Sequence, residues 1–301
     1  MDFEHEIAKL KKSRGAILLA HNYQPAEVQA IADFTGDSLE LARKAAAIES
    51  DVIVFAGVTF MAETAAALNP GKLVLMPDID AGCPMADMLT AEQLIGLKAQ
   101  HPGAKVLCYV NSSLEVKAES DCCCTSSNAY AVAKHYADQG AEIIFVPDQH
   151  LGKYTADRLG KKFILWPGYC PTHARITDFH VAAARAAHPG AQVMVHPECP
   201  EAIRRAADLV LSTGEMCREA LRSSVQEYIV GTETGILFRL RQENPGKTFW
   251  PVLEEAVCPN MKKTTLEKVY WSLLDLQTPV RVDVEIAARA RRSIDAMLAI
   301  A

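Results

Sequence analysis

Three cysteines carry the first chemical signal in this 301-residue chain. Cys83, Cys170 and Cys258 each precede a proline, and they stand 87 and 88 residues apart. Thiolates are metal ligands, and three of them in repeat suit a shared metal site better than disulfides. A structural zinc site closes with four ligands, and a [4Fe–4S] cluster ordinarily takes four cysteines. On such a cluster three ligands would leave one iron open, able to polarise a substrate oxygen as a Lewis acid. The closely spaced ferredoxin pattern is absent, so spacing alone does not name the cofactor.

The same interval orders a set of polar residues. His21, Tyr109 and His196 are separated by 88 and 87 residues, and two residues beyond them stand Tyr23, Asn111 and Glu198. Alternate residues on a strand point the same way, so each repeat delivers a polar pair where an apolar segment ends. Taken singly, each would read as a loop residue or a satisfied buried polar group. Agreement across three copies favours a common cavity. Ser38, Ser126 and Thr213 share the register and precede helical stretches at 39–47, 128–136 and 215–222. A hydroxyl there reads first as an N-cap. Three helix N-termini aimed at one cavity would hold an anion, such as a phosphate or carboxylates.

The chain has nine cysteines, an odd number in no compact secreted-type framework, which points to a reducing compartment. Cys122, Cys123 and Cys124 are adjacent, so their side chains diverge, and they read as non-ligands. Cys199 precedes a proline but falls out of the repeat register. Cys108 and Cys217 read as strand and helix core.

The elements that must place these residues repeat as well. His101-Pro102-Gly103-Ala104-Lys105-Val106 returns as His188-Pro189-Gly190-Ala191-Gln192-Val193, 87 residues later. Each unit opens with a short apolar strand (17–20, 106–108, 193–195), continues into a helix, and has a further apolar strand (52–55, 143–146, 228–230). Strands alternating with helices, without hairpin signals, predict parallel sheets flanked by helices. The expected fold is α/β, with three pseudo-symmetric αβα domains around a central active-site cavity. Their expected bounds are 1–97 plus 275–301, 98–184 and 185–274, with an Ala-rich terminal helix from Val282 onward packed on the first.

Composition removes other classes. The charge of −6 comes from 37 acidic and 31 basic residues interspersed along the chain, with no basic block to track a phosphate backbone. The N-terminus has no apolar signal-peptide core, and the apolar run 52–62 is far too short to span a bilayer. The expectation is a soluble, cytoplasmic protein with no nucleic-acid or membrane partner.

Along its whole length the sequence resembles the quinolinate synthases (the quinolinate synthetase A family). The segments that carry the resemblance are 19–24, 36–42, 54–64, 109–113, 124–129, 196–199 and 212–214. They include Ala20-His21-Asn22-Tyr23, Gly36-Asp37-Ser38, Tyr109-Val110-Asn111-Ser112-Ser113, His196-Pro197-Glu198-Cys199 and Ser212-Thr213-Gly214. The resemblance implies a triangle of three αβα domains and one [4Fe–4S] cluster ligated by Cys83, Cys170 and Cys258. It also implies a transferase of NAD biosynthesis that condenses iminoaspartate with dihydroxyacetone phosphate to quinolinate, phosphate and water. His21, Tyr23, Ser38, Tyr109, Asn111, Ser126, His196, Glu198 and Thr213 carry over as substrate-binding or catalytic positions, with His173 and Met261 as weaker carry-overs. The triple cysteine at 122–124 departs from the family's apolar stretch.

The reaction requires repeated proton transfers, for which Glu198, raised by burial, is the candidate acid/base. Tyr23 and Tyr109 would relay protons, and His21 and His196 would orient the substrate or neutralise oxyanions. An unstable imine substrate suggests functional coupling to an L-aspartate oxidase. The alternatives are another Fe–S hydro-lyase acting on a small dicarboxylate, a non-enzymatic Fe–S sensor, and a zinc enzyme.

Overall fold

The computed structural model describes residues 1–300. Its twelve strands form three separate four-stranded sheets, each parallel throughout. The first contains β1 (Ala16–His21), β2 (Phe34–Gly36), β3 (Val52–Ala56) and β4 (Leu73–Leu75), ordered β2-β1-β3-β4. The second contains β5 (Lys105–Tyr109), β6 (Cys122–Cys124), β7 (Ile143–Val146) and β8 (Ile164–Leu165), ordered β6-β5-β7-β8. The third contains β9 (Gln192–Val195), β10 (Leu209–Val210), β11 (Glu227–Gly231) and β12 (Thr248–Pro251), ordered β10-β9-β11-β12. The topology is thus the same three times.

Helices cover both faces of each sheet, so the central strands are apolar at nearly every position rather than alternating. Every residue of β3 and of β7 is buried. The first and second units share one large core that includes Leu19, Phe55, Leu107 and Phe145, whereas the two faces of the third sheet form cores of their own.

An acidic residue fixes the first strand of each unit. Asp33, Asp121 and Asp208 lie just before the second strands, and their Oδ2 atoms accept the backbone N–H of Leu18, Val106 and Val193 at 2.7, 2.8 and 2.7 Å. Each also pairs with a cation: Lys11 at 2.7 Å, Lys105 at 2.8 Å and Arg185 at 3.0 Å. Charge-assisted bonds of this kind hold the strand start that aligns the far end.

Residues 266–300 distribute differently from a third unit followed by a helix on the first. Helix Leu266–Asp275 packs against Phe3–Arg14 and β3, because its Val269, Tyr270 and Leu273 complete the core around Ile7, Leu18 and Val54. Helix Val284–Ile300 lies chiefly against Leu114–Ala118 and β6 of the second unit, with a lighter contact to Thr59–Leu68 of the first. Its stripe Ala287, Ala290, Ile294 and Met297 is buried there. Among the described residues no helix is long and apolar enough to cross a membrane.

Candidate active site

The carboxyl ends of the three sheets open on one cavity, where parallel α/β sheets place their ligands. His21 and Tyr109 end β1 and β5, and His196 follows the last residue of β9. All three line the cavity with Tyr23, Asn111 and Glu198. The same walls include Ser38, Ser126, Thr213, His173, Met261, Cys83, Cys170 and Cys258. Every candidate site residue taken from the sequence therefore lines this space.

The two strand-end histidines are equivalent at the atomic level. His21 Nδ1 accepts the Tyr23 backbone N–H at 3.2 Å, and His196 Nδ1 accepts the Glu198 N–H at 3.2 Å. An Nδ1 that accepts leaves the proton on Nε2 in the neutral ring. Burial favours that neutral form, pulling His21 down to about 4 and His196 to about 3. Both rings present an uncharged Nε2–H donor, and His196 Nε2 sits 3.2 Å from Ser126 Oγ. In the second unit the equivalent Tyr109 donates its hydroxyl to Glu198 Oε1 at 2.5 Å.

Glu198 is the hub. Its Oε1 takes the Tyr109 hydroxyl and a long 3.5 Å contact from Asn111 Nδ2, and its Oε2 lies 2.8 Å from His173 Nδ1. Burial alone would raise this carboxyl, as the sequence suggests. The charge and hydrogen bond of His173, together with the Tyr109 hydroxyl, outweigh it and hold Glu198 well below the usual carboxylate range. The direction is opposite to the one burial alone would give. The two tyrosines move the other way, pushed up first by burial and then by the Glu198 charge.

A hydrogen-bond chain runs outward from this carboxylate. His173 Nε2 lies 2.7 Å from Thr232 Oγ1, which lies 2.6 Å from Tyr23 Oη. Tyr23 Oη, Thr232 Oγ1 and His173 Nε2 thus form a continuous hydrogen-bonded path that ends, through Nδ1, on Glu198 Oε2. The chain joins side chains from all three units. Thr232 was not evident from the sequence, because its repeat equivalents are Gly57 and Pro147.

The hydroxyl wall differs from the expectation in one respect. Ser38 and Thr213 are first helical residues rather than caps, and Ser126 lies three positions before its helix. The caps are Asp37 and Ser212, each completing a capping box. Asp37 Oδ1 takes the N–H groups of Leu39 and Glu40 at 3.0 and 2.9 Å, and its Oδ2 accepts Ser127 Oγ at 2.6 Å. Those two amide donors are therefore spent within the protein, and the cavity wall offers hydroxyls and neutral imidazoles in their place. Asn111 Oδ1 is buried with no partner among the described residues, which leaves an acceptor for a bound donor.

The three cavity cysteines could bind metal. Each stands just before a short helical turn, Ala86–Met88, Pro171–Ala174 or Asn260–Lys262, and Cys170 Sγ lies 3.1 Å from His173 Nδ1. Burial pushes these thiols up, Cys83 to about 12, so a cation must be present to hold three thiolates. They are also the partly exposed cysteines, whereas Cys108, Cys122, Cys123, Cys124, Cys199 and Cys217 are buried. A second donor set overlaps with them. Cys170, His173 and Glu198 offer ligand atoms within 4.8 Å of one another and could hold a single ion.

Comparison with known proteins bears on this geometry. Residues 5–299 match the profile of the family described as Quinolinate synthetase A protein. A Dehalococcoides mccartyi (strain BAV1) protein named Quinolinate synthase is 55% identical over 294 residues, covering 98% of this chain and 97% of that one. A Methanoregula boonei protein of the same name is 54% identical over 297 residues, covering 99% and 98%. One from Geobacter metallireducens is 50% identical over 297 residues, covering 99% and 97%.

Proposed function

The chain belongs to the quinolinate synthetase A family, and on that premise we propose that it condenses iminoaspartate with dihydroxyacetone phosphate to give quinolinate, phosphate and water. The observation that carries the reading is Glu198, an ionised carboxylate gripped by Tyr109 and His173 where three sheets meet. Such a reaction in NAD biosynthesis joins one carbon–carbon and one carbon–nitrogen bond while losing phosphate and water. Each step moves a proton, so a single buried base with a relay serves several of them.

Cys83, Cys170 and Cys258 would hold the cofactor. When bound there, a [4Fe–4S] cluster supplies an iron without a protein ligand, and so a Lewis acid for a substrate oxygen. The remaining chemistry belongs to side chains. Glu198 takes a proton from substrate, and His173 and Thr232 pass protons between its Oε2 and Tyr23 Oη. The Nε2–H groups of His21 and His196, with the hydroxyls of Ser38, Ser126 and Thr213, hold the anionic ends of the substrates. Neutral donors suit that task, because they bind phosphate and carboxylate without neutralising Glu198. The Asp37 charge beside them is absorbed by its own N–H and O–H donors.

The proposed cellular setting is cytoplasmic, downstream of an L-aspartate oxidase that generates the short-lived imine. Glu198→Gln tests the central assignment. The variant should lose turnover and keep the visible absorbance of the reconstituted cluster; full activity in Glu198→Gln would remove the base from the mechanism.

A further inference from the structure

Glu233 is fully buried beside the cavity, and the chemistry above does not use it. Its place in the repeat is defined by strand register. Ala56, Val146 and Gly231 pair with Ala20, Cys108 and Val195, so the residues two further on, Val58, Asp148 and Glu233, are equivalent. One unit has an apolar residue there, one a short acid and one a long acid. Asp148 spends Oδ1 on the Leu151 N–H at 2.7 Å, and its buried Oδ2 has no partner. Glu233, one methylene longer, reaches across to the loop that carries Cys258.

Each Glu233 oxygen meets donors. Oε1 accepts the backbone N–H of Cys258 at 3.1 Å, and Oε2 accepts that of Gly235 at 2.7 Å. Lys262 Nζ lies 2.9 Å from Oε1 and 3.2 Å from Oε2, and it also donates to the Tyr23 carbonyl. Gly235 lets the backbones approach here, since a Cβ would fall 2.8 Å from the Tyr23 carbonyl carbon, a backbone atom that cannot move aside as a side-chain end can. The same turn is tied at its other end, where Gln24 Nε2 donates to the Met261 carbonyl at 2.9 Å. A carboxylate is the side chain that can accept from all three donors; a Gln would turn an NH₂ toward one of them.

We infer that Glu233 is a positioning residue that locks the Cys258 loop into its ligating conformation and, through Lys262, couples that loop to the Tyr23 segment. The inference rests on the reading of Cys258 as a cofactor ligand, but its primary test needs neither cofactor nor turnover. In metal-free protein, iodoacetamide labelling is followed cysteine by cysteine by peptide mass. Glu233→Gln should raise the Cys258 rate about tenfold and leave Cys83 and Cys170 near their wild-type rates, as expected for losing a charge-assisted clamp. Glu233→Asp keeps the charge but falls short of Cys258, so it should free the same cysteine while preserving the fold. A Cys258 rate unchanged in either folded variant overturns the inference.

Wild-type protein supplies an independent measurement. The Cys258 amide, although in a loop, should exchange slowly with deuterium, and a freely exchanging amide would equally refute the clamp. Anaerobic iron loading separates this inference from the functional reading. Wild-type protein that takes up no iron defeats the ligand assignment. Wild-type loading beside depleted loading in Glu233→Gln supports the clamp, and equal loading in the two counts against it.

Discussion

His173 Nδ1 lies 2.8 Å from Glu198 Oε2 in a fully buried pair, one partner from the turn that begins at Cys170 and the other from the loop after β9. The imidazole thereby ties the acid/base candidate to a cysteine turn on one side and, through Nε2, to Thr232 and Tyr23 on the other. Chemistry at Glu198 should therefore respond to residues that never touch it.

Thr232 tests that relay. Thr232→Val keeps the shape and removes the hydroxyl between Tyr23 and His173. It should lower kcat by about 10- to 100-fold with little change in KM, a loss in the range of a proton-transfer contribution. Thr232→Ser should recover most of the rate. Steady-state kinetics on the reconstituted enzyme decides, and a wild-type kcat in Thr232→Val would show that the relay is idle.

Tyr109 tests the low value of Glu198. Its hydroxyl helps hold the carboxylate ionised against burial. Tyr109→Phe removes that donor, so Glu198 should bind its proton at higher pH. Acid unfolding of the metal-free protein should then set in at higher pH than in the wild type, because the folded state loses a donor that favours the charged form. An unchanged acid midpoint would assign the low value to other groups.

Much of this site was legible because the repeat marks it. The interval of 87 and 88 residues selects the cysteines, the strand-end pairs and the hydroxyls without knowledge of any sheet. Asp33, Asp121 and Asp208 keep the same interval and were open to the same argument, but an isolated Asp before an apolar segment reads as a turn. Thr232 and Glu233 break the repeat in residue type, so register alone gives them no weight. The caps were displaced by one position because Asp37 and Ser212 take the cap role from the neighbouring Ser38 and Thr213. The electrostatic sign at Glu198 was out of reach, because the deciding partners Tyr109 and His173 lie 89 and 25 residues away along the chain.

Two buried neutral histidines should make the metal-free protein acid-labile. His21 and His196 sit at about 4 and about 3 when folded, below the ordinary 6.5 of an unfolded chain. Between those values the unfolded state binds more protons, so stability is complete above about pH 6.5 and falls as pH drops toward 4. Glu198, held low, acts in the same direction at more acidic pH. The loss between pH 7 and pH 5 should be on the order of 3 kcal/mol. Urea titrations at the two pH values measure it, and His196→Gln should flatten the dependence; a midpoint independent of pH would contradict the neutral-histidine assignment.

Asp121 should carry a structural cost that its half-buried position hides. Asp121→Ala leaves the Val106 N–H without its 2.8 Å acceptor and Lys105 without its partner. A destabilisation of about 1–2 kcal/mol is expected from the unsatisfied strand donor. Asp33→Ala and Asp208→Ala should cost similar amounts. Chemical denaturation compares the three, and values within error of wild type would mean that the strand starts are held by packing alone.

The most direct measurement is anaerobic reconstitution with iron and sulfide, followed by a quinolinate assay with dihydroxyacetone phosphate and freshly generated iminoaspartate. Cluster-dependent quinolinate is expected, and it should disappear when Cys83, Cys170 or Cys258 is changed to Ser. A cluster without quinolinate would contradict the proposed reaction, and an inactive protein that binds one zinc through Cys170, His173 and Glu198 would contradict the ligand set as well.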